Sequence, residues 1–243
     1  MGETGALLTA SSMPLSGPGG RPAPRRRHRR RAAPRCPVCG LHQSLCVCAI
    51  LPRIALPWRL IVVQHGVEVD RPTNTGRMAL HLLTHSVRVL YGRRGVALDT
   101  APLEDPGHRY LALFPRAEAP WLTPEDLQPE EGRTPALVVP DGTWAQASHM
   151  MRRIAPLRRM RCVRLPPGPP GLWRIRRPRH PDQLCTLEAV IRAVEIGGHA
   201  SEATALFDAL ALIHARMQAM RAGALAATES IRLPPFAQRQ GKR

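Results

Sequence analysis

The chain has 243 residues, enough for one domain with tails or a domain plus a small module. Its formal net charge is +17, carried almost wholly by arginine, since Lys242 is the only lysine. That balance favours a polyanionic partner through long-range attraction and counterion release, and no apolar run has the length of a membrane span.

Residues 1–35 hold eight arginines against one acid, a net of +7. The rest of the chain, at +10, is therefore basic without its tail. Met1 to Gly20 is small, polar and rich in Pro and Gly, and its arginines follow the mildly apolar part, the wrong order for a secretory signal. An Arg-rich, acid-poor start also imitates a transit peptide, but the Pro/Gly density disfavours an amphipathic helix. Residues 1–35 are read as a disordered basic tail on a cytoplasmic protein. The run Arg25 to Arg31 is then a solvated tail or a nonspecific RNA arm.

Cys36, Cys39, Cys46 and Cys48 follow, spaced Cys-x2-Cys-x6-Cys-x-Cys. Thiolates this close can enclose one structural zinc, with Gly40 allowing the knuckle turn. Two disulfides are the competing reading, which a reducing compartment disfavours. His42 is a candidate substitute ligand. Residues 36–50 are taken as the knuckle.

Trp58 to Gln64 is a continuous apolar run suited to a buried parallel strand. After His65 and a polar loop comes Asn74-Thr75-Gly76-Arg77, with Asn74 or Thr75 as cap of a helix carrying Met78, Leu80, Leu82 and Leu83. Val87 to Tyr91 and Tyr110 to Phe114 read as further strands, the latter ending in Phe114-Pro115. Arg93-Arg94-Gly95 is a surface turn or a phosphate contact. Glu118 to Arg133 is a loop or short helix.

Ala136 to Val139 is another apolar strand, closed by the turn signal Pro140-Asp141-Gly142. Thr143 and Trp144 follow, then a helix over 145–154. Asp141 thus sits where a strand gives way to a helix, beyond the carboxyl end of the sheet, where ligands bind in open α/β folds. The same residues also fit a plain reading, with Asp141 and Thr143 as caps and Trp144 as core. Met160 to Leu165 is a last strand, followed by the Pro-rich loop Pro166 to Gly171. Arg174, Arg176, Arg177, Arg179 and His180, beside Trp173, form a solvated charge run or a strip for RNA backbone contact and base stacking. Cys185 opens a helix to about Glu195, with Thr186 able to cap it and Glu188 favoured in its first turn. A last helix runs from Ser201 to about Ala222. The alternation of strands and helices predicts an α/β fold, a mostly parallel sheet flanked by helices.

Four segments occur in one order: the cysteine cluster, His65 with Asn74-Thr75-Gly76-Arg77, Asp141-x-Thr143-Trp144, and Thr186-Leu187-Glu188-Ala189. Together they resemble the DTW-domain proteins, which are similar to tRNA-uridine aminocarboxypropyltransferases and related to SPOUT-like folds. The resemblance implies a knotted SPOUT-like fold, a catalytic domain over 51–225 and a basic tail over 226–243. It implies S-adenosylmethionine as co-substrate, tRNA as partner, and transfer of the 3-amino-3-carboxypropyl group to uridine N3. It assigns Asp141, Thr143 and Trp144 to catalysis. Asn74, Thr75, Gly76, Arg77, Phe114, Pro115, Thr186 and Glu188 go to the cofactor, with Arg77 holding a carboxylate. It improves the case for RNA contact by Arg174, Arg176, Arg177 and Arg179. The family often has a Pro-Glu type segment after its His, whereas Gly66-Val67-Glu68 stands here. An RNA methyltransferase on a related fold and a non-catalytic zinc-dependent RNA-binding module are the alternatives. Oligomeric state is not written in any of these features.

Overall fold

The computed structural model describes residues 33–176 and 183–223. In chain order the regular elements are β1 (Arg59–His65), α1 (Gly66–Val69), α2 (Gly76–Leu82), β2 (Ser86–Tyr91), β3 (His108–Leu113), β4 (Thr134–Asp141), α3 (Trp144–Arg153), α4 (Ala155–Arg159), β5 (Arg161–Val163), α5 (Thr186–Ile196) and α6 (Ala200–Arg221). The five strands form one sheet in the order β2-β1-β4-β3-β5, and every pairing is parallel.

The apolar runs pack as a two-sided parallel sheet requires. Alternate residues point to opposite faces. Leu60, Val62, Leu137 and Val139 join the buried cluster that includes α2, α5 and α6. Ile61, Val63, Ala136 and Val138 join the cluster of α3 and α4. The cysteine segment belongs to the first cluster, since Cys36, Cys39, Leu41, Leu45 and Val47 are buried with Leu210, Ile213 and Met217 of α6.

Two segments differ from the sequence reading, and a third, 118–133, keeps to it. The last strand is only Arg161–Val163, because Arg164 leaves the ladder to form an isolated parallel bridge with Trp121. Helix α3 stops at Arg153, and Pro156, which lacks an N–H to continue it, sits in the first turn of the separate α4. Segment 118–133 is loop with a single 3-10 turn, Glu125–Leu127. Of the basic tails read over 1–35 and 226–243, residues 1–32 and all of the second lie outside the described residues, as do Arg177, Arg179 and His180, whereas Arg35 is described and bridges His42. No helix among the described residues is long and apolar enough to cross a membrane.

Gly40 makes the knuckle turn at φ +73°, and a Cβ there would stand 1.9 Å from the Pro72 carbonyl oxygen. Gly40→Ala therefore combines left-handed strain with a backbone collision. It is expected to lower stability by about 2 kcal/mol or more, measured as a fall in the urea midpoint.

Candidate active site

β1 and β4 end side by side, with Gln64 in register with Asp141. Both side chains are buried, and both face the side covered by α2 and α5. The Asp141 carboxylate accepts three hydrogen bonds there. Asn74 Nδ2 donates to Oδ2 at 2.6 Å. Gln64 Nε2 donates to the same oxygen at 3.0 Å, and also to Asn74 Oδ1 at 2.9 Å. Thr186 Oγ1 donates to Oδ1 at 2.6 Å. Asn74 Oδ1 in turn accepts from the Arg77 backbone N–H at 2.8 Å, so Asn74 rather than Thr75 closes the first turn of α2.

Two helix starts thus meet at one carboxylate, and a helix start favours negative charge. Gly76 is what lets α2 come so close, since a Cβ there would lie 2.6 Å from Asp141 Cγ. Thr75 accepts from the Leu187 backbone N–H at 3.5 Å and joins the two helix starts directly. Asn74, Thr75, Gly76, Asp141 and Thr186 are therefore brought together. Gln64 was missed by sequence reasoning. Its only signal was an amide ending an apolar strand.

The cluster borders a polar cavity of about 100 Å³, whose wall also includes Gly142, Gln183, Leu184 and Cys185. Gln183 and Leu184 pass into an apolar cavity of about 400 Å³ lined by Phe114, Pro115, Trp144 and Trp121. The cleft thus has a polar floor and an aromatic end, both beyond the carboxyl ends of the strands. Trp144 is 36% exposed and stacks at a tilt on Phe114, with centroids 6.0 Å apart, so it is cleft wall and not core.

Other predicted site residues are engaged elsewhere. Thr143 caps α3: its Oγ1 accepts from Gln146 N at 3.3 Å, and Gln146 Oε1 accepts from Thr143 N at 2.8 Å. Glu188 caps α5 in place of Thr186, accepting from Cys185 N at 2.8 Å and from Trp173 N at 2.7 Å. Each of its carboxylate oxygens is thus tied to a backbone amide. The Arg77 guanidinium turns away from the cleft and donates to the carbonyls of Pro72 at 3.1 Å and Arg71 at 3.3 Å. Burial works against its charge, while Cys36, Cys39 and Asp141 favour it.

Arg176 donates to Glu68 at 2.7 Å and to Thr73 at 2.8 Å, so its head is bound into the protein. Glu68 is fully buried between Arg176 and Arg71. Trp173 is 6% exposed, packs on His214 and, with Arg176, lines the polar cavity. Arg174 is exposed.

The thiol sulfurs of Cys36, Cys39, Cys46 and Cys48 all lie within 4.8 Å of one another, and His42 is not among the converging groups. The Cys36 and Cys48 sulfurs are 3.6 Å apart and those of Cys39 and Cys46 3.9 Å apart. A tetrahedron with metal–sulfur bonds of about 2.3 Å has edges of about 3.8 Å, whereas a disulfide requires about 2.05 Å. The four cysteines are unbridged thiols placed to hold one metal ion. Burial raises the Cys36 pKa, but the amides of Cys39 and Val38 and the neighbouring thiols pull it down to about 7. Burial pushes Cys39 and Cys48 up, so the cluster is poor at carrying several thiolates without a cation.

A sequence profile described as the DTW domain matches residues 33–218. The chain belongs to the DTW-domain family. That family is associated with tRNA modification. The match takes in the cysteine cluster, the Asp141 cluster and the DTW helix α3 together. No solved structure matches the chain.

His214 accepts from the Arg174 N–H at 3.4 Å and anchors the segment behind the cleft. Burial lowers its pKa below 6.5, with Glu188 partly opposing. The unfolded chain then binds the proton first, so stability is full above about pH 6.5 and is lost as pH falls below it. His81 is lowered by burial and Arg53 in the same sense. Melting temperatures are expected to fall from pH 7 to pH 5, and His214→Gln to remove part of that fall.

Proposed function

We propose that this DTW protein is a tRNA-uridine aminocarboxypropyltransferase. It moves the 3-amino-3-carboxypropyl group of S-adenosylmethionine to N3 of a uridine in tRNA. The observation that carries this reading is the Asp141 cluster, which forms the polar floor of a cleft with an aromatic end. That division suits a ligand with a flat apolar base at one end and a charged amino-acid arm at the other. The SPOUT-like relationship of the family is part of the same reading.

When bound, S-adenosylmethionine supplies a sulfonium whose neighbouring γ-carbon is electrophilic. The N3 lone pair forms the new N–C bond, the C–S bond breaks, and its electron pair stays on sulfur as methylthioadenosine. The N3 proton leaves to solvent or to a protein carboxylate.

Phe114, Pro115 and Leu184 are placed to wall the adenosine, and Trp144 to close the aromatic end. Asn74, Thr75 and Thr186 border the amino-acid arm. Asp141 acts chiefly by position. Three of a carboxylate's roughly four acceptor places are filled. One place remains for the uracil N3–H, which steers the base into the cleft before that proton leaves and the γ-carbon takes its position, the kind of alignment worth several powers of ten in rate. Arg77, Glu188 and Thr143 support the site through α2, α5 and α3 and do not touch the ligand. Arg174, which is exposed, is left as an RNA contact, with Arg177 and Arg179 as the sequence extends it.

Zinc is the metal that the four-thiolate set fits best, as a closed site that supports the fold and performs no step. The purified protein is expected to carry one zinc per chain by elemental analysis. Cys48→Ser should lose it and melt at lower temperature.

Incubation with S-adenosylmethionine and tRNA is expected to release methylthioadenosine and to leave an aminocarboxypropyl uridine in the digested RNA. Asp141→Ala should abolish release. Thr186→Val, which deletes one hydrogen bond to a charged group, should cost about ten- to a hundredfold in kcat/KM. Release of S-adenosylhomocysteine would identify a methyltransferase in its place.

A further inference from the structure

The aromatic end of the cleft has an outer wall that the transfer step does not use. Trp121 is 42% exposed. Arg164 Cζ lies 3.8 Å from its ring centroid, over one face of the indole. The backbone builds this pair. Trp121 and Arg164 form a parallel bridge just past β5. Arg164 N donates to the Pro120 carbonyl at 2.9 Å, and Leu122 N donates to the Arg164 carbonyl at 2.8 Å. Arg164 Nε is buried without a hydrogen-bond partner, and the ring stack holds the guanidinium in place. Both residues line the 400 Å³ cavity that also contains Phe114 and Trp144.

We infer that the Trp121–Arg164 pair is a stacking shelf for a nucleobase of single-stranded RNA, next to the nucleotide that enters the cleft. One indole face is covered by a cation, and the exposed remainder offers a flat π surface at the cleft mouth. Base stacking on such a platform tolerates any sequence and is strengthened by a nearby arginine. A protein-docking patch would need a wide contiguous apolar surface around the ring. The exposed aliphatic residues Ile50, Val67, Val96 and Leu98 lie away from this cavity. The chain's net charge of +17 brings a polyanion to the shelf, and the shelf then grips a base. The inference rests on the RNA-modifying reading for its choice of polymer and not on which group is transferred.

The test is fluorescence anisotropy of the full chain with a labelled, uridine-containing single-stranded RNA at fixed salt, beside calorimetric binding of methylthioadenosine. Trp121→Ala is expected to weaken RNA binding about tenfold, in line with the loss of one stacked base. It should leave the salt dependence of RNA affinity unchanged and cost methylthioadenosine clearly less than it costs RNA, because Trp121 is not among the residues that wall the adenosine. Trp121→Phe, which keeps a ring, should recover most of the RNA affinity and serves as the control for folding. An RNA affinity within twofold of the parent in Trp121→Ala overturns the shelf. So does a matched loss of methylthioadenosine affinity, which would give the indole to the co-substrate. The RNA readout needs no turnover. If the parent chain binds RNA through Trp121 but releases no methylthioadenosine, the shelf stands and the transferase reading fails.

Discussion

A buried carboxylate needs donors, and Asp141 gathers them from three separate parts of the chain. Gln64 comes from the end of β1, Asn74 from the turn before α2, and Thr186 from the start of α5. Removing any donor leaves a partly unsatisfied charge in the interior, which costs far more than one exposed hydrogen bond. The parallel register makes this meeting possible, because it brings Gln64 level with Asp141. The cleft floor is therefore a consequence of sheet topology and not of the Asp-x-Thr-Trp segment alone.

The loop that delivers Asn74 is gripped from two sides. On one side the knuckle turn at Gly40 packs against Pro72, and Arg77 ties the Pro72 and Arg71 carbonyls beside the cysteine cluster. On the other, buried Glu68 holds Arg71 and Arg176, and Arg176 also binds Thr73. A small loop with polar backbone does not hold one geometry by itself. Here the knuckle and the Glu68 ion pairs fix it, so a module remote from the cleft governs where Asn74 is held. Arg77 and Glu68 contribute to the site in this indirect way.

The middle of the sheet was readable in advance because β1 and β4 are buried on both faces and appear as nearly unbroken apolar runs. Asp141 was readable because the turn after Val139 must end a strand. Gln64 was not, since only register shows that it meets Asp141. Trp144 and Trp173 illustrate the same limit in opposite senses. Both are indoles near motif residues, yet one is exposed at the cleft and the other is buried against His214. Arg77 and Arg176 carry the charge expected of ligand contacts, but nearby carbonyls and Glu68 take their donors first. Composition gives the sign of a surface. It does not give the partners of each arginine. Thr186 and Glu188 exchanged the expected tasks because a glutamate at the third helical position reaches back to the cap amide, which frees the hydroxyl for Asp141.

The same arithmetic of donors and acceptors bears on mechanism. A strong general base needs acceptor places open to the proton it will take, and Asp141 has spent most of its own on Gln64, Asn74 and Thr186. Such a carboxylate is rigid, and rigidity is what the proposed alkylation through a sulfonium's longer arm would demand. The methyl and the γ-carbon share one sulfur, so the outcome depends on which of them faces the nucleophile. A floor fixed by three hydrogen bonds, under a cleft with one aromatic end, can hold a base at one angle. Choice between the two carbons then becomes a matter of orientation, and the knuckle and the buried ion pairs are structural means of preserving it.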